Sequence, residues 1–199
     1  LNLETLEYEA QQKPDLASLK TAKQVDDLHK RISAIFKAED KGGKLIRKSL
    51  LGLFAYVSNR IPEISDNLYS IDDAMKAGYA WDIGPFEYWD IIGVKEGIKM
   101  AESQGETVAG WVKEMADAGH DSFYKREKGK KLYYDQQSKE YKVVPGTYEF
   151  IILDNYRDQS PVYKNSEVIL HDIGDGVLCL EFTSPHNAIG EGVLRGMNE

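Results

Sequence analysis

Residues 84–93 read Gly-Pro-Phe-Glu-Tyr-Trp-Asp-Ile-Ile-Gly, and this stretch decides how the chain folds. Proline fits the first turn of a helix because its missing N–H would have no partner there, and Glu87 in the same turn complements the helix dipole. We therefore expect a helix that the two glycines punctuate at its ends. Phe86 and Trp89 lie three residues apart and share one helical face, which predicts that they pack into a core.

Helices are also predicted before this stretch. Apolar residues recur at helical spacing over 16–38, and Asp40-Lys41-Gly42-Gly43 is expected to break that helix. A second helix is predicted from near Lys44, and its wide apolar stripe indicates that it is buried. Pro62 is expected to interrupt or kink it, because a proline inside a helix loses a hydrogen bond and clashes with the preceding turn.

Shorter helices are predicted around the central stretch. Ser70 has the features of an N-cap, so a short helix is expected to run from it to Lys76 and to close at Gly78. Helices at 94–104 and 107–118 are expected to follow.

After His120 the pattern becomes typical of β-structure. A hairpin is predicted over 131–144 and a further strand over 148–153. Two more strands are expected over 168–182, joined at 174–176 by Gly-Asp-Gly, which is a hairpin turn signal. The sequence therefore predicts an α+β fold in which a mainly α-helical domain is followed by β-hairpins.

One short internal repeat is visible. Residues 1–8 resemble residues 134–141, since in both a polar turn leads to a hydroxyl residue and Glu-Tyr follows two places on. The repeat predicts that the chain begins at the end of one helical unit and continues into the next.

Composition excludes several classes of function. The 199 residues carry a formal net charge of −8, which does not suit a nucleic-acid surface or an anionic membrane. No apolar stretch approaches the roughly 20 residues of a membrane span, and no signal peptide is seen. The single cysteine, Cys179, cannot form an internal disulfide, so a reducing, cytoplasmic setting is expected. Because the sequence starts at Leu1 and stops inside the helical run 190–199, both ends are expected to lie within a longer polypeptide.

Complete catalytic motifs are missing from the sequence. It contains no Gly-x-Gly-x-x-Gly, no P-loop, no Gly-x-Ser-x-Gly and no Cys/His cluster with metal-ligand spacing. Four histidines are scattered along the chain. They are His29, which is expected to be exposed, and His120, His171 and His186, which lie beside helix ends or turns. A general base at His171 or His186 would need an orienting partner that the sequence does not identify.

The densest local signal lies over 58–64 and 84–94. Its aromatic and branched residues are best explained as core, supplied by Trp81, Phe86, Trp89, Ile91 and Ile92. The functional alternative is that Asn59 or Glu63 lines a cleft against another domain. An Asn amide both donates and accepts hydrogen bonds, so it could orient a polar substrate group.

These residues resemble a known family. Asn59-Arg60, the run Ile-Asp-Asp-Ala-Met at 71–75 and the stretch 84–93 look like the C-terminal helical domain of 3-hydroxyacyl-CoA dehydrogenases. The segment 119–124, which contains Ser-Phe-Tyr, resembles the end of that domain. Further on, residues 170–182 and 187–190 are similar to the opening of an enoyl-CoA hydratase (crotonase) domain. This order is similar to that of fused bacterial β-oxidation enzymes.

The resemblance implies a division of labour between this chain and a parent enzyme. The family acts on CoA thioesters. It binds NAD on an N-terminal Rossmann domain, which also holds a His–Glu catalytic pair. Neither the Rossmann domain nor the His–Glu pair is present in this sequence. The family's helical domain contributes an Asn to the active-site cleft, and Asn59 matches that position. Fused enzymes carry two helical repeats, and the first normally supplies this Asn. Asn59 in a second repeat is therefore expected to be structural, with substrate orientation as the alternative.

For the hydratase, the resemblance implies that the oxyanion-hole donors and catalytic glutamates lie downstream of Glu199. Only the loop at Asn187-Ala188, which approaches CoA in that family, is present. No catalytic residue, metal ligand or bound cofactor is therefore expected in this segment itself. The predicted divisions are 1–14 as the end of an upstream repeat, 15–145 as the helical dehydrogenase-like domain with its closing hairpin, 146–167 as linker or strand, and 168–199 as the truncated start of a crotonase domain.

The expected function is that of a non-catalytic scaffold that packs between the Rossmann and crotonase modules of its parent. The resemblance also implies that the parent forms a homodimer through its helical domains. A stand-alone helical interaction module is the alternative, and it would predict a stable monomer with an exposed apolar groove. A complete small CoA-binding protein is a third possibility. The absence of a basic cluster near Asn187 for the CoA phosphates disfavours it.

Overall fold

The computed structural model describes residues 1–10, 14–147, 149–157 and 159–199, and it confirms the α+β fold class. Among the described residues, seven consecutive helices open the chain and an eighth lies near its end, and the longest has 18 residues. They are α1 (Ala17–Ala22), α2 (Leu28–Lys37), α3 (Lys41–Ser58), α4 (Leu68–Tyr79), α5 (Pro85–Ile92), α6 (Val94–Ser103), α7 (Gly110–Asp117) and α8 (Glu191–Asn198).

Two small antiparallel sheets complete the described fold. The first has the strand order β1-β2-β3 and the second has the order β4-β5-β6. The strands are β1 (Tyr124–Glu127), β2 (Lys130–Asp135), β3 (Glu140–Val143), β4 (Tyr163–Lys164), β5 (Val168–Asp172) and β6 (Leu178–Phe182). We call α1 to α7 with the first sheet the helical unit, and the second sheet with α8 the β tail.

The predicted continuous helix over 16–38 is wrong. The chain leaves the helical conformation after α1, and α2 starts anew after Asp27. The Asp27 carboxylate accepts a hydrogen bond from the Lys30 N–H at 2.8 Å, so it caps the first turn of α2. Apolar periodicity continues across this gap, and periodicity alone therefore could not locate the break.

Gly42 and Gly43 were expected to break a helix, but they lie in the first turn of α3. Asp40 caps that turn by accepting a hydrogen bond from the Gly43 N–H at 2.9 Å. A methyl group added at Gly43 would lie 2.1 Å from the carbonyl oxygen of Ala38. Glycine here permits close approach of two segments. α3 then ends ahead of Pro62, which lies outside the helix.

The predicted N-cap at Ser70 is also wrong, because Asn67 takes that role. The Asn67 side chain accepts a hydrogen bond from the Ser70 N–H at 3.0 Å, so α4 begins earlier than expected. The helix continues through Gly78 and ends at Tyr79, and its C-cap residue Ala80 is left-handed with φ of 53°.

The prediction for residues 84–93 is confirmed. Gly84 precedes α5, and its N–H donates to the Glu87 carboxylate at 2.7 Å, which closes the first turn. Phe86 and Trp89 are fully buried. The Trp89 indole stacks on Phe54 with 4.9 Å between ring centroids. Of the other residues expected in the core, Trp81, Ile91 and Ile92 are only partly buried.

The β predictions are confirmed in part. The hairpin over 131–144 forms, with β1 as an additional strand that the sequence did not reveal. The Gly-Asp-Gly turn at 174–176 joins β5 and β6 as predicted. The strand predicted over 148–153 is wrong for the described residues, since 149–152 are irregular and Leu153 begins a 3-10 turn. Tyr148 lies outside the described residues.

Residues 2–7 reproduce the turn between β2 and β3 in three dimensions. The matching pairs are Asn2 and Asp135, Thr5 and Ser138, and Leu6 and Lys139. In each turn the first side chain accepts the N–H of the hydroxyl residue, at 3.2 and 3.0 Å. The next residue is left-handed, with φ of 59° and 58°, and its N–H donates to the first carbonyl at 2.9 and 2.8 Å. The geometry agrees with the sequence repeat, while the domain boundaries remain predictions.

The β tail has a small core of its own. α8 lies against β5, where a methyl group added at Gly196 would approach the Val168 side chain to 2.3 Å. Val168 and Val193 are fully buried. Within the described part of the chain, β6 pairs with β5 only, so its other edge is open.

Candidate functional site

Asn59 is the C-cap residue of α3, and its amide is committed to the backbone. The Nδ2 group donates to the carbonyl of Ala55 at 2.8 Å and to the carbonyl of Thr107 at 2.7 Å. A side-chain amide has two N–H donors, and both are used here. Only its carbonyl oxygen remains to meet a substrate. The geometry thus shows Asn59 fastening α3 to the segment before α7, and its predicted substrate-orienting role remains a prediction.

Neighbouring side chains strengthen this junction. The Ser58 hydroxyl accepts a hydrogen bond from the Ala109 N–H at 3.2 Å, and the Trp111 indole donates to the Ser58 carbonyl at 2.9 Å. On the solvent side, Arg60 pairs with Glu63 at 2.8 Å, and its guanidinium lies 5.0 Å from the centre of the Tyr56 ring. Glu63 is therefore an exposed ion-pair partner on this surface.

The Asn187-Ala188 loop lies in the β tail, and both residues are exposed. Asn187 is left-handed with φ of 53° and ends the 3-10 turn Pro185–Asn187. The Ser184 hydroxyl donates to the Ala188 carbonyl at 2.7 Å, which gives the loop a fixed shape. The predicted contact with CoA stays a prediction.

A buried carboxylate at Asp72 is the most unusual electrostatic feature of the described structure, and the sequence did not indicate it as a site. Asp72 of α4 is fully buried, and its carboxylate accepts hydrogen bonds from the N–H groups of Phe86 and Glu87 at 2.9 and 3.2 Å. The Tyr124 hydroxyl also donates to it, at 2.8 Å. Burial raises the pKa of Asp72 to about 7, against the opposing effect of these hydrogen bonds.

Two more carboxylates extend this cluster. Asp90 accepts hydrogen bonds from the N–H groups of Phe123 and Tyr124 at 2.7 and 2.9 Å, and burial raises its pKa to about 7. Glu87 pairs with Lys76 at 3.2 Å and with Lys131 at 2.5 Å. Desolvation acts against ionisation of Glu87, but the two lysines outweigh it and lower its pKa.

This carboxylate cluster has the chemistry of a catalytic site but the geometry of a structural one. Perturbed carboxyl groups often mark catalytic centres. Here, however, Asp72 has no exposed surface, and Asp72 and Asp90 bind backbone N–H groups of α5 and of the segment that enters β1. The cluster therefore fastens α4, α5 and the first sheet together.

His171 has an orienting partner that the sequence did not identify. Its Nε2 lies 2.8 Å from Oε2 of Glu181, and the ring is 3% exposed. The register that pairs Ile169 with Glu181 places His171 and Glu181 on the same face of neighbouring strands. Strand pairing could have revealed this contact, but only once the hairpin register was known. His29, by contrast, is exposed as expected.

Two cavities of the described structure lie away from the predicted site residues. One, of about 500 Å³, lies beside α1, and the other, of about 110 Å³, lies beside His171. Neither is lined by Asn59 or Asn187. Among the described residues, no group of three or more His, Cys, Asp or Glu side chains could hold a metal ion. None of the described helices combines the length and the apolarity needed to cross a bilayer.

The described fold defines the class of protein: an α+β protein in which a helical unit with a three-stranded sheet is followed by a second small sheet and α8. Comparison with known proteins adds the relationship. The chain is 36% identical over 192 residues, 96% of its length, to a probable 3-hydroxyacyl-CoA dehydrogenase of Bacillus subtilis (strain 168).

Two further relatives are putative fatty acid oxidation complex trifunctional enzymes of Rickettsia. The chain is 29% identical over 87 residues to that of Rickettsia felis, covering 44% of this chain and 11% of the relative. It is 28% identical over 97 residues to that of Rickettsia prowazekii, covering 49% and 12%. No family model and no solved structure matches the chain.

The likeness covers nearly all of this chain but a small part of each relative. The chain spans 24% of the length of the Bacillus subtilis protein. It is therefore related to a segment of proteins named as 3-hydroxyacyl-CoA dehydrogenase and fatty acid oxidation enzymes.

Proposed function

We propose that this chain is a non-catalytic helical scaffold segment of a bifunctional fatty-acid β-oxidation enzyme. In that enzyme an NAD-dependent 3-hydroxyacyl-CoA dehydrogenase is fused to an enoyl-CoA hydratase. The observation that carries the proposal is the 36% identity along 96% of the chain to a probable 3-hydroxyacyl-CoA dehydrogenase, of which the chain spans 24%. The parent would bind NAD and CoA thioesters through its other modules, and a cytoplasmic location belongs to the same proposal.

The contacts of Asn59 support the non-catalytic part of the proposal. Both of its amide N–H donors are held by the carbonyls of Ala55 and Thr107, so it has no free donor for a substrate oxygen. The carboxylates with perturbed pKa are likewise occupied by backbone N–H groups.

An exposed face of α3 supports the scaffold part. Leu45, Ile46 and Tyr56 are 65%, 40% and 58% exposed, although they lie on the central helix of the unit. Leu45 and Tyr56 are eleven residues apart and so lie on one side of the helix, whereas Ile46 lies about a quarter turn from Leu45. Exposed large apolar side chains are typical of surfaces that pack against other protein. We propose that the side of α3 that carries Leu45 and Tyr56 meets neighbouring modules of the parent.

Activity assays on the isolated chain test the non-catalytic claim. We expect no turnover above a buffer blank with acetoacetyl-CoA plus NADH, and none with crotonyl-CoA. Turnover that rises in proportion to protein concentration and disappears in Asn59→Ala would overturn the claim.

Three substitutions made in the full-length polypeptide test the scaffold role. Asn59→Ala should leave both activities within about twofold, because only stability depends on its amide. Tyr56→Glu should lower activity or weaken assembly, because it places a charge on the proposed packing face, while Glu63→Gln on the same surface serves as the control. A drop of more than about tenfold for Asn59→Ala alone would instead assign it to an active site.

A further inference from the structure

Residues 153–157 contact both parts of the molecule, although the sequence predicts this region as linker. Leu153–Tyr156 form a 3-10 turn in which the Asn155 N–H donates to the Ile152 carbonyl at 2.9 Å. Arg157 follows, and its guanidinium Nε donates to the Asp154 carboxylate at 2.6 Å. We call residues 153–157 the strut. Its internal hydrogen bonds give it a defined local shape.

On one side, the strut contacts the turn between β1 and β2 through a hydrogen bond and a packed aromatic ring. Asn155 is 5% exposed and donates its Nδ2 to the carbonyl of Gly129 at 3.2 Å. The Tyr156 ring packs directly on the same glycine, because a methyl group added there would lie 2.2 Å from the ring. Gly129 also has φ of +73°, a conformation that favours glycine. Only glycine fits this contact without strain.

On the other side, the strut is bonded to the β tail. The Tyr156 hydroxyl lies 3.4 Å from the carbonyl oxygen of Ile173, at the turn between β5 and β6. Arg157 Nη2 donates to Oε1 of Glu181 at 2.5 Å. Glu181 also holds the buried His171 ring, so the ion pair is anchored in the interior face of the second sheet.

We propose that the strut is a rigid interdomain brace that holds the helical unit and the β tail in one relative orientation. Asn155 and Tyr156 fix it to the first sheet, while Tyr156 and Arg157 fix it to the second. In a larger enzyme, this brace sets the angle at which the chain after α8 leaves the helical unit. It acts in this way whatever reaction that enzyme catalyses.

Distance measurements between two spin labels test the brace. The labels are placed by Lys99→Cys on α6 and Leu194→Cys on α8, in a Cys179→Ser background that removes the natural thiol. With the strut intact, we expect a single narrow distance distribution in the chain. Gly129→Ala should at least double its width, because the added methyl group pushes Tyr156 away from the turn.

Gly105→Ala is the matched control. Gly105 also has positive φ, +83°, but no atom lies within 4 Å of an added methyl group. It imposes similar backbone strain without touching the strut, so its distribution should stay narrow. Tyr156→Phe combined with Arg157→Ala removes both bonds to the tail but keeps the ring that packs on Gly129, so it should broaden the distribution without altering the first sheet.

Three results would overturn the brace. A broad distribution in the unaltered chain would show a flexible linker. Equal widths for Gly129→Ala and Gly105→Ala in folded protein would show that the Tyr156 contact does not hold the orientation. If circular dichroism shows that Gly129→Ala has lost its fold, the variant with both Tyr156→Phe and Arg157→Ala decides, and a narrow distribution there would refute the brace.

Discussion

The helical unit and the β tail differ most in the size of their buried cores. The helical unit buries a large cluster that includes Phe54, Trp89 and Phe123, whereas Val168 and Val193 are the only fully buried hydrophobic side chains among the described residues of the β tail. Apolar burial is the main favourable contribution to folding, and it grows with the size of the core. The comparison teaches that the helical unit supplies its own stability, while the β tail depends on what it contacts.

Trp89→Ala should produce the largest effect, because Trp89 is the centre of the helical core. Its ring stacks on Phe54 and its indole N–H donates to the Val94 carbonyl at 3.2 Å. We expect the free energy of unfolding to fall by about 3–5 kcal/mol, as for other buried aromatic truncations. Urea denaturation followed by circular dichroism measures this change.

Leu194→Ala is the corresponding change in the β tail and should alter stability by no more than about 0.5 kcal/mol, since the side chain is exposed. Similar effects for the two variants would contradict the comparison. If Trp89→Ala left stability unchanged but abolished activity in a full-length parent, the stretch 84–93 would be a site rather than a core.

Amide hydrogen exchange should be faster in the β tail than in the helical unit, which is the next largest expected difference. Paired amides of β6 lie on an open-edged three-stranded sheet, and such small sheets open easily. We expect them to exchange roughly 100-fold faster than amides over 51–57 in the middle of α3, equivalent to about 2.7 kcal/mol. The strut restricts the orientation of the folded tail, but it does not prevent the tail's sheet from opening. Equal protection in a proven monomer would show that the tail is as stable as the core.

The parts of the fold that sequence could predict are those governed by local rules. The first turn of α5 follows from a glycine, a proline and Glu87, and the turn at 174–176 follows from its glycines. The break before α2 could not be predicted, because Asp27 acts as a cap while the apolar pattern continues. The break before α3 was predicted, but the Asp40 cap starts that helix at Lys41, slightly earlier than expected. Capping depends on one side chain meeting one N–H, and several polar residues nearby could have served.

The candidate site was harder to predict for a different reason. Asn59 could be singled out by resemblance, but its bond to Thr107 joins residues far apart in sequence. Asp72 and Asp90 look like ordinary surface acids in the sequence. Asp72 is enclosed only when α4 packs on α5, and Asp90 is covered only when the segment that enters β1 packs on α5. Burial of a carboxylate depends on how distant elements pack together, so no local sequence pattern predicts it.

The buried carboxyl groups predict how stability depends on pH. Asp72 has an ordinary pKa of 3.8 that burial raises to about 7, with Glu87 nearby acting in the same direction. A raised pKa means that the folded state holds the proton more tightly. The stabilising contribution is therefore present below about pH 4 and is lost as the pH rises through 7. Asp90 acts in the same direction.

Glu87 has the opposite effect, because its lowered pKa stabilises the fold above about pH 4.5. Between pH 5 and 8, Glu87 stays ionised, so the contributions of Asp72 and Asp90 should dominate the pH dependence. Urea midpoints should fall across this range in the unaltered chain and change less in Asp72→Asn. A midpoint that rises from pH 5 to 8, or an unchanged slope in the variant, would contradict the assigned role.

Asn59→Ala should have a much smaller effect than Trp89→Ala, and the β tail offers a matched control for it. Asn198 makes the same kind of amide bond one helical turn back, to the Leu194 carbonyl at 2.9 Å, but its amide makes no second bond among the described residues. Asn59 adds the bond to Thr107, so its loss should cost about 1 kcal/mol in tryptophan-monitored unfolding. All three tryptophans lie in the helical unit, so Asn198→Ala should leave that signal unchanged. Equal effects would show that the Thr107 bond contributes nothing, and the case for Asn59 as a fastening residue would fail.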